Sequence, residues 1–511
     1  MSRLMLGVDL GTSGAKSVLL DDSGEVRATA KSEYGLKRPR EGWVEQNPGD
    51  WWKGVSTSVR EVLEISGEKA GNLEALALSG QMHGSVFLDT SGDVIRPPIL
   101  WNDTRTTSQC ETIRKKIGED GLRELIGNPV LEGFTAPKLL WLRDNEPENY
   151  RKLDTLLLPK DYIVYRLTGV KSTEPSDAAG SVLFNVREKK WAEEIISELD
   201  IDSKILPEVR ESTEPVGSLT DEAAAELGLD PDTLVIAGGA DNACSAVGNG
   251  ITREGRFLAS IGSSGVVLAH TDSMEVDQAG RLHSFNHARP ESWYLMGVML
   301  SAGLSFRWFR HSLGTLEETV AEGLGADPYD LLAEEAGTVP AGSEKLIFLP
   351  YLNGERTPHA DPDARGVFFG LTDSHRKSHL IRAILEGISF GLRDSLTLIK
   401  EKGVEPEEVR ITGGGARSEL WTQIQADVFG YKIKKTAINE GPAFGAALLA
   451  GVGAGIYSDV DQATGETVRA RTVAEPRPEK VEIYDELYGL YRSVYSSLKG
   501  DYKRLAGVNI P

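Results

Sequence analysis

The sequence predicts an α/β protein made of two duplicated domains, and three observations predict it. Short apolar runs suited to strands alternate along the chain with longer stretches of helical spacing. A glycine-rich hairpin pattern occurs twice, as Gly11-Thr12-Ser13-Gly14 and as Gly262-Ser263-Ser264-Gly265, each between apolar runs, at a constant offset of 251 residues. At 511 residues the chain is too long for one core, and a division at 246/247 gives two domains, 1–246 and 247–511.

Charge and composition narrow the function. The 56 basic and 77 acidic residues leave a net charge of −21, a surface that repels a phosphate backbone, and with no local cluster of basic residues nucleic acid is not the expected partner. The two cysteines, Cys110 and Cys244, stand far apart and in no metal spacing, as expected of a reducing compartment. The first residues lack the apolar core of a signal peptide, and the expected location is the cytoplasm. Residues 441–457 carry no charge, but they are rich in Ala and Gly and too short for a membrane span; they predict a buried helix packed through its small residues.

In chain order, the apolar runs Leu4 to Leu6 and Val18 to Leu20 predict a hairpin whose tip, Gly11 to Gly14, suits a phosphate because no bulky Cβ obstructs the backbone N–H groups. Asp9, just before it, suits a magnesium ion brought by a polyphosphate; an ordinary tight hairpin reads equally well locally. Asp50 opens a helix through Trp51, Val55, Val59 and Val62. Leu73 to Leu78 predicts a strand ending in Ser79-Gly80-Gln81-Met82-His83-Gly84, a polar loop where open sheets place ligand contacts. Trp101, Asn102, Asp103 and Arg105 share one loop that suits either a sugar or a surface ion pair. The helix within Gly133 to Asn145 is assigned to the core, and Asp177 to capping a turn.

Thr233 to Ala237 predicts a strand, Gly238-Gly239 a turn, and Asp241-Asn242 the start of a helix. Asp241 is then either an N-cap or a general base meeting a substrate hydroxyl. His283 and His287 have metal-pair spacing, but the residues around them predict strand and turn. A helix is expected within 297–309, Glu355 and Arg356 are placed to brace one another, and His379 to Ile399 is helical. Val409 to Thr412 predicts a strand closed by Gly413-Gly414-Gly415-Ala416-Arg417-Ser418, which admits a flat group such as adenine or simply turns tightly.

The dipeptide Gly-Lys and the tripeptide His-Arg-Asp are absent, and no Gly-x-Gly-x-x-Gly opens a βαβ unit, which removes the P-loop, protein-kinase and Rossmann designs. The paired hairpins resemble the actin-, hexokinase- and Hsp70-like superfamily of ribonuclease H-like domains with an ATP cleft between them. From end to end the chain resembles the FGGY carbohydrate kinases, with family signatures at Gly133 to Asn145 and from Gly366 through His379 to Glu386.

That resemblance implies ATP-dependent phosphorylation of a sugar hydroxyl, D-xylulose being the expected substrate and ribulose, ribitol or gluconate the alternatives. It implies Asp241 as catalytic base and Gln81, Met82, His83, Trp101, Asp103, Arg105 and Asn242 as sugar contacts. Thr12, Ser13, Ser264, Gly265, Gly303, Gly414, Gly415 and Ser418 would form the ATP site, with Asp9 serving magnesium. Glycerol kinases carry an Arg-Glu pair where Met82-His83 stands, which disfavours glycerol. The rival from another class is a regulatory ATPase of the same superfamily. The expected partners are a small sugar and a second copy of the chain, with no membrane.

Overall fold

The computed structural model describes residues 3–438 and 440–508, and it divides into two compact units. The first comprises residues 1–252, 270–294 and 440–468, and the second residues 253–269, 295–439 and 469–511. The expected 246/247 division lies near the first crossing, but the chain crosses again later, and the Ala/Gly-rich helix belongs to the first unit rather than to a C-terminal domain.

The first unit is built on a six-stranded sheet of β1 (Leu4–Leu10), β2 (Gly14–Asp21), β3 (Val26–Glu33), β4 (Leu73–Gly80), β5 (Pro215–Ser218) and β6 (Leu234–Ala240), in the order β5-β6-β4-β1-β2-β3. β1 pairs antiparallel with β2 and parallel with β4, and β6 runs parallel to β4. Strand β1 is buried except at Asp9, as a central strand covered on both faces must be, whereas edge strand β3 alternates buried and exposed residues. The helix Pro48–Ser66 lays Trp51, Val55, Val59 and Val62 on this core. It begins two residues before the predicted Asp50, because Asn47 caps it by accepting from Gly49 N–H and Pro48 suits its first turn.

One expectation changes along β6. The strand runs through Gly238-Gly239 instead of turning there, with a register shift between Ile236 and Gly239. Gly238 has φ +77°, and a Cβ on it would lie 1.9 Å from Leu78 O, so glycine here serves close strand approach.

The sheet of the second unit uses β7 (Arg256–Ile261), β8 (Gly265–Thr271), β9 (Trp293–Met299), β10 (Glu408–Gly413), β11 (Ile433–Thr436) and β12 (Ala470–Ala474), in the order β9-β8-β7-β10-β11-β12. β7 pairs antiparallel with β8 and parallel with β10, and β10 runs parallel to β11, repeating the β1, β2, β4, β6 arrangement. The duplication inferred from the hairpins therefore extends to the pairing of these strands. The repeat is not constant around the tips: Leu10 pairs with Ala15 in the first hairpin, but Ile261 pairs with Gly265 in the second, whose loop is one residue shorter.

The helix Gly441–Gly453 is buried from Ala443 to Gly451. It is seated by absent side chains: a Cβ on Gly7 would lie 1.9 Å from Ala443 O, and one on Gly445 would lie 1.9 Å from Cys244 O in the helix Asp241–Gly248. Among the described residues no helix is long and apolar enough to cross a membrane.

Gly445→Ala should therefore force the two helices apart and cost about 1–3 kcal/mol in denaturant unfolding. Gly489→Ala, on the helix Pro478–Ala506 with nothing near its Cβ position, should stabilise by about 0.5–1 kcal/mol on helix propensity alone. Equal effects of the two substitutions would contradict the close-packing account.

Candidate active site

In the first unit the ends of β1, β4 and β6 bring together Asp9, the Ser79 to Gly84 loop and Asp241. Asp9 Oδ1 accepts from Ser79 Oγ at 3.0 Å. Its Oδ2 lies under the hairpin turn, 3.8 Å from the Cβ position of Gly11. Burial pushes the Asp9 carboxyl up from its ordinary range, against the pull of the Ser79 hydrogen bond and the Lys16 charge.

Asp241 is not an N-cap. Ala240 occupies that position without a side-chain bond, and Asp241 is the first residue inside the helix. Its Oδ1 accepts from Asn242 N–H at 2.7 Å and from Asn242 Nδ2 at 3.0 Å, which satisfies one orphan donor of the first turn. Those bonds favour the carboxylate, yet burial and then the neighbouring charge of Asp9 outweigh them and raise the group to about 7. Asn242 Nδ2 also reaches Met82 Sδ at 3.9 Å.

His83 adopts φ +68°, an unfavourable backbone for a residue with a side chain, and its surroundings hold it there. Its carbonyl accepts from Lys138 Nζ at 2.9 Å and Thr135 Oγ1 at 3.0 Å, and its ring stacks on Phe134 at 4.3 Å. The ring Nδ1 faces Gly180 O at 2.8 Å; a carbonyl only accepts, so Nδ1 carries the proton. Lys138, read from sequence only as part of a core helix, is fully buried and also donates to Gly133 O at 2.7 Å. Burial holds its ammonium well below the usual lysine range.

The hairpin tip is tied to the same loop. Thr12 Oγ1 donates to Gln81 Oε1 at 3.1 Å and accepts from Trp101 Nε1 at 3.0 Å, while Gln46 links Thr12 O, Gln81 and Trp51. Ser13 is exposed beside it. Since the Thr12 hydroxyl proton is already engaged, this residue offers an anion its backbone rather than its side-chain donor.

Asp103 and Arg105 form neither a surface ion pair nor an open face. Their side chains are buried, Arg105 bonding to both Asp103 oxygens and lying 2.8 Å from Glu45. The guanidinium sits 3.7 Å from the Trp43 ring centroid and 4.9 Å from that of Trp141. The pair therefore braces the loop that carries Trp101, which remains 43% exposed. Asp177 is not a turn cap either: Glu174 caps that helix, accepting from the N–H groups of Ser176 and Asp177, and Asp177 itself is buried. His283 lies on a strand, His283–Asn286, as its surroundings predicted, and its Nδ1 faces Asn128 Oδ1 at 2.9 Å.

The second unit holds a cavity of about 520 Å³ lined by Gly262, Ser263, Gly303, Gly414, Gly415 and Ser418, together with Phe306, Tyr329 and Trp421. Gly303 N–H donates to Gly262 O at 3.0 Å, and a Cβ on Gly303 would fall 2.2 Å from that oxygen, so glycine lets the helix Ala302–Leu313 begin against the hairpin. Ser418 caps the helix Glu419–Phe429 by accepting from Trp421 N–H at 3.3 Å. Phe306 stands 5.0 Å from Tyr329 and 5.8 Å from Trp421 between ring centroids. Of the expected ATP residues of this unit, Ser264 and Gly265 are not on the cavity wall. Gly265 is buried, and a Cβ there would meet Leu392 and Ala302 at 2.8 and 3.0 Å. Glu355 and Arg356 brace one another through the main chain, Glu355 Oε1 accepting the backbone N–H groups of Leu300, 2.9 Å, and Arg356, 2.7 Å.

Sequence reasoning did not single out Arg307, Asp327, Tyr329 and Asp330 of this wall. They come from segments with ordinary helical patterns, where no local signal marks a lining residue. Trp421 reads in sequence only as a helix residue for the same reason, whereas Phe306 falls on a helix expected to pack near the nucleotide.

Comparison with known proteins places the chain in a family. Residues 4–248 match the N-terminal domain, and residues 257–454 the C-terminal domain, of the FGGY family of carbohydrate kinases. The chain is 41% identical to a xylulose kinase of Bacillus subtilis over 497 residues, covering 97% of each chain. It is 40% identical over 496 residues to a xylulose kinase of Lactococcus lactis, covering 96% of each. The crystal structure of a ligand-bound xylulose kinase from Lactobacillus acidophilus superposes with a TM-score of 0.91 at 28% identity, covering 98% of this chain and all of that one. Matched by both domain models of the family over most of its length, the chain belongs to the FGGY family of carbohydrate kinases.

Proposed function

We propose that the chain transfers the γ-phosphoryl group of ATP to D-xylulose, at its 5-hydroxyl, in the cytoplasm. The observation that carries the reading is Asp241: a carboxyl raised to about 7 near neutral pH, beside Asn242, Met82 and His83. A base poised near the working pH is half available as acceptor and strong enough to take a hydroxyl proton as the phosphoryl arrives. His83 and Met82 present one hydrogen-bonding and one apolar surface to the carbon chain of the sugar. Trp101 adds an exposed aromatic face of the kind sugars stack on.

The cavity of the second unit suits the nucleoside. Three aromatic side chains on its wall offer faces to a flat base, and Gly414 and Gly415 line the same wall. Backbone groups at the tips of the two hairpins, around Thr12 and Ser13 and around Ser263, are proposed to bind phosphate oxygens. Asp9 fits a magnesium ion, since one oxygen is fixed by Ser79 and the other lies at the turn. A single carboxylate suffices for an ion that keeps its waters and takes its other ligands from phosphates. When bound, that ion supplies charge neutralisation on the transferring phosphoryl group.

ADP release measured with D-xylulose, D-ribulose, ribitol and D-gluconate at fixed magnesium-ATP tests the reading. Turnover should depend on sugar and be fastest with D-xylulose; turnover without sugar would favour the ATPase instead. Asp241→Asn should lower turnover by about a hundredfold or more with ATP affinity retained. It should not lower the melting temperature, because a native carboxyl raised from 3.8 to about 7 loses stability as pH rises between those values, and the amide removes that loss.

The same shift sets the pH profile. The rate constant kcat/KM for sugar should rise about tenfold per pH unit below pH 7 and level off above it. Asp9→Asn should move that limb to lower pH, since the negative charge of Asp9 opposes ionisation of Asp241, while weakening the response to magnesium. A limb unmoved by Asp9→Asn would separate the two carboxyls.

A further inference from the structure

A second carboxyl near Asp241 has no role in the account so far. Asp177 lies on the short helix Pro175–Ala178, which continues as a tighter turn over Ala179–Ser181. The residue before it, Ser176, accepts the N–H of Ala240 on its hydroxyl at 2.9 Å, and Ala240 adjoins the proposed base. Three residues after it, Gly180 O accepts the ring N–H of His83 at 2.8 Å. One turn of chain thus touches both the base and the sugar loop, with Asp177 between the two contacts.

The side chain of Asp177 is fully buried, and neither carboxyl oxygen has a hydrogen-bond partner among the described residues. Lys160, the cation that favours its ionisation, already holds Asp161 Oδ1 at 2.5 Å and lies 3.7 Å from Glu174. Burial, then the charges of Asp161, Glu174 and Asp241 against the pull of Lys160, hold the carboxyl well above its usual range, which favours the protonated form, one that can both donate and accept. The Tyr294 hydroxyl is likewise buried without a partner among the described residues, and Asp241, Glu174 and Asp177 all oppose its ionisation. Unsatisfied buried groups are costly, and two of them gathered beside a base are what a polyhydroxylated ligand would satisfy.

We propose that Asp177 binds the acceptor sugar, its carboxyl exchanging hydrogen bonds with hydroxyls of the middle carbons while Asp241 meets the reacting hydroxyl and His83 the far part of the chain. This inference rests on the sugar-kinase reading and adds to it a residue that selects polyols. Such a group discriminates by being left unpaired when the hydroxyl is missing.

The test uses the full chain, the four-sugar panel above and the acceptor on which the wild type turns over fastest. Asp177→Leu should raise the sugar KM by about tenfold or more. The KM for ATP should stay unchanged, and the melting temperature should not fall, because an apolar group replaces an unpartnered polar one. Asp177→Asn, which keeps a donor and an acceptor, should change the sugar KM less than Asp177→Leu does.

A sugar KM within about twofold of wild type in both variants would overturn the role of Asp177. So would a lowered melting temperature in both without a change in sugar KM, since that is the signature of a structural group or a trapped water. If Asp177→Leu does not fold, Asp177→Asn decides, a rise of about threefold or more in sugar KM supporting the proposal and less overturning it. A wild type inactive on all four sugars would overturn the kinase reading itself, and this inference with it.

Discussion

The first unit depends on backbone meeting backbone. The helix Gly441–Gly453 reaches β1 and the helix Asp241–Gly248 at distances that leave no room for a Cβ at Gly7, Gly248 or Gly445. Contacts this close bring many atoms within dispersion range and leave little freedom to shift. Asp9 on β1 and Asp241 on the helix are therefore placed by two elements clamped to a common third. The positions of the two carboxyls proposed for the chemistry follow from where side chains are missing.

Around that clamp the interior is unusually polar. Lys160, Asp161, Glu174, Ser176 and Ser212 form a buried network in which Glu174 accepts four hydrogen bonds, from Ser176 N and Oγ, Asp177 N and Ser212 Oγ. Replacing such a network by apolar groups would not obviously weaken the fold, since buried ion pairs often do no more than offset their own desolvation. What it provides is direction: Glu174 fixes Ser176, Ser176 fixes Ala240, and the base follows in the chain. Strained or unsatisfied groups collect in the same region, at the left-handed backbone of His83 and the unpaired carboxyl of Asp177, as active sites allow.

Much of this was legible in the sequence, and the reason is local. The strands of both hairpins, the polar ending of β4 and the glycine run after β10 announce themselves because a period of two, a turn or a close approach demands particular residues at adjacent positions. What could not be read depends on residues far apart. Asp177 looks like a cap until Lys160 and Asp241 come near it, and Asp103 with Arg105 looks like a surface pair until the guanidinium packs against the rings of Trp43 and Trp141. Gly238-Gly239 reads as a turn because a glycine pair carries the same letters whether the chain bends or merely makes room for a neighbouring strand. The Ala/Gly-rich helix has no polar face to say which core it joins.

The hydroxyl of Thr12 gives and receives a hydrogen bond at once, joining the hairpin tip to Gln81 on the sugar side and to the indole of Trp101. A tip that moved toward an anion would have to carry both partners or release them. Occupancy at the tip and occupancy at the sugar loop are then linked functions of one another, and linkage has no preferred direction. Whatever factor a bound polyphosphate applies to the dissociation constant of the sugar, the sugar must apply to that of the polyphosphate. If a polyphosphate binds at the tip and a sugar at the loop, as proposed, one threonine hydroxyl would join the two without any third element as messenger.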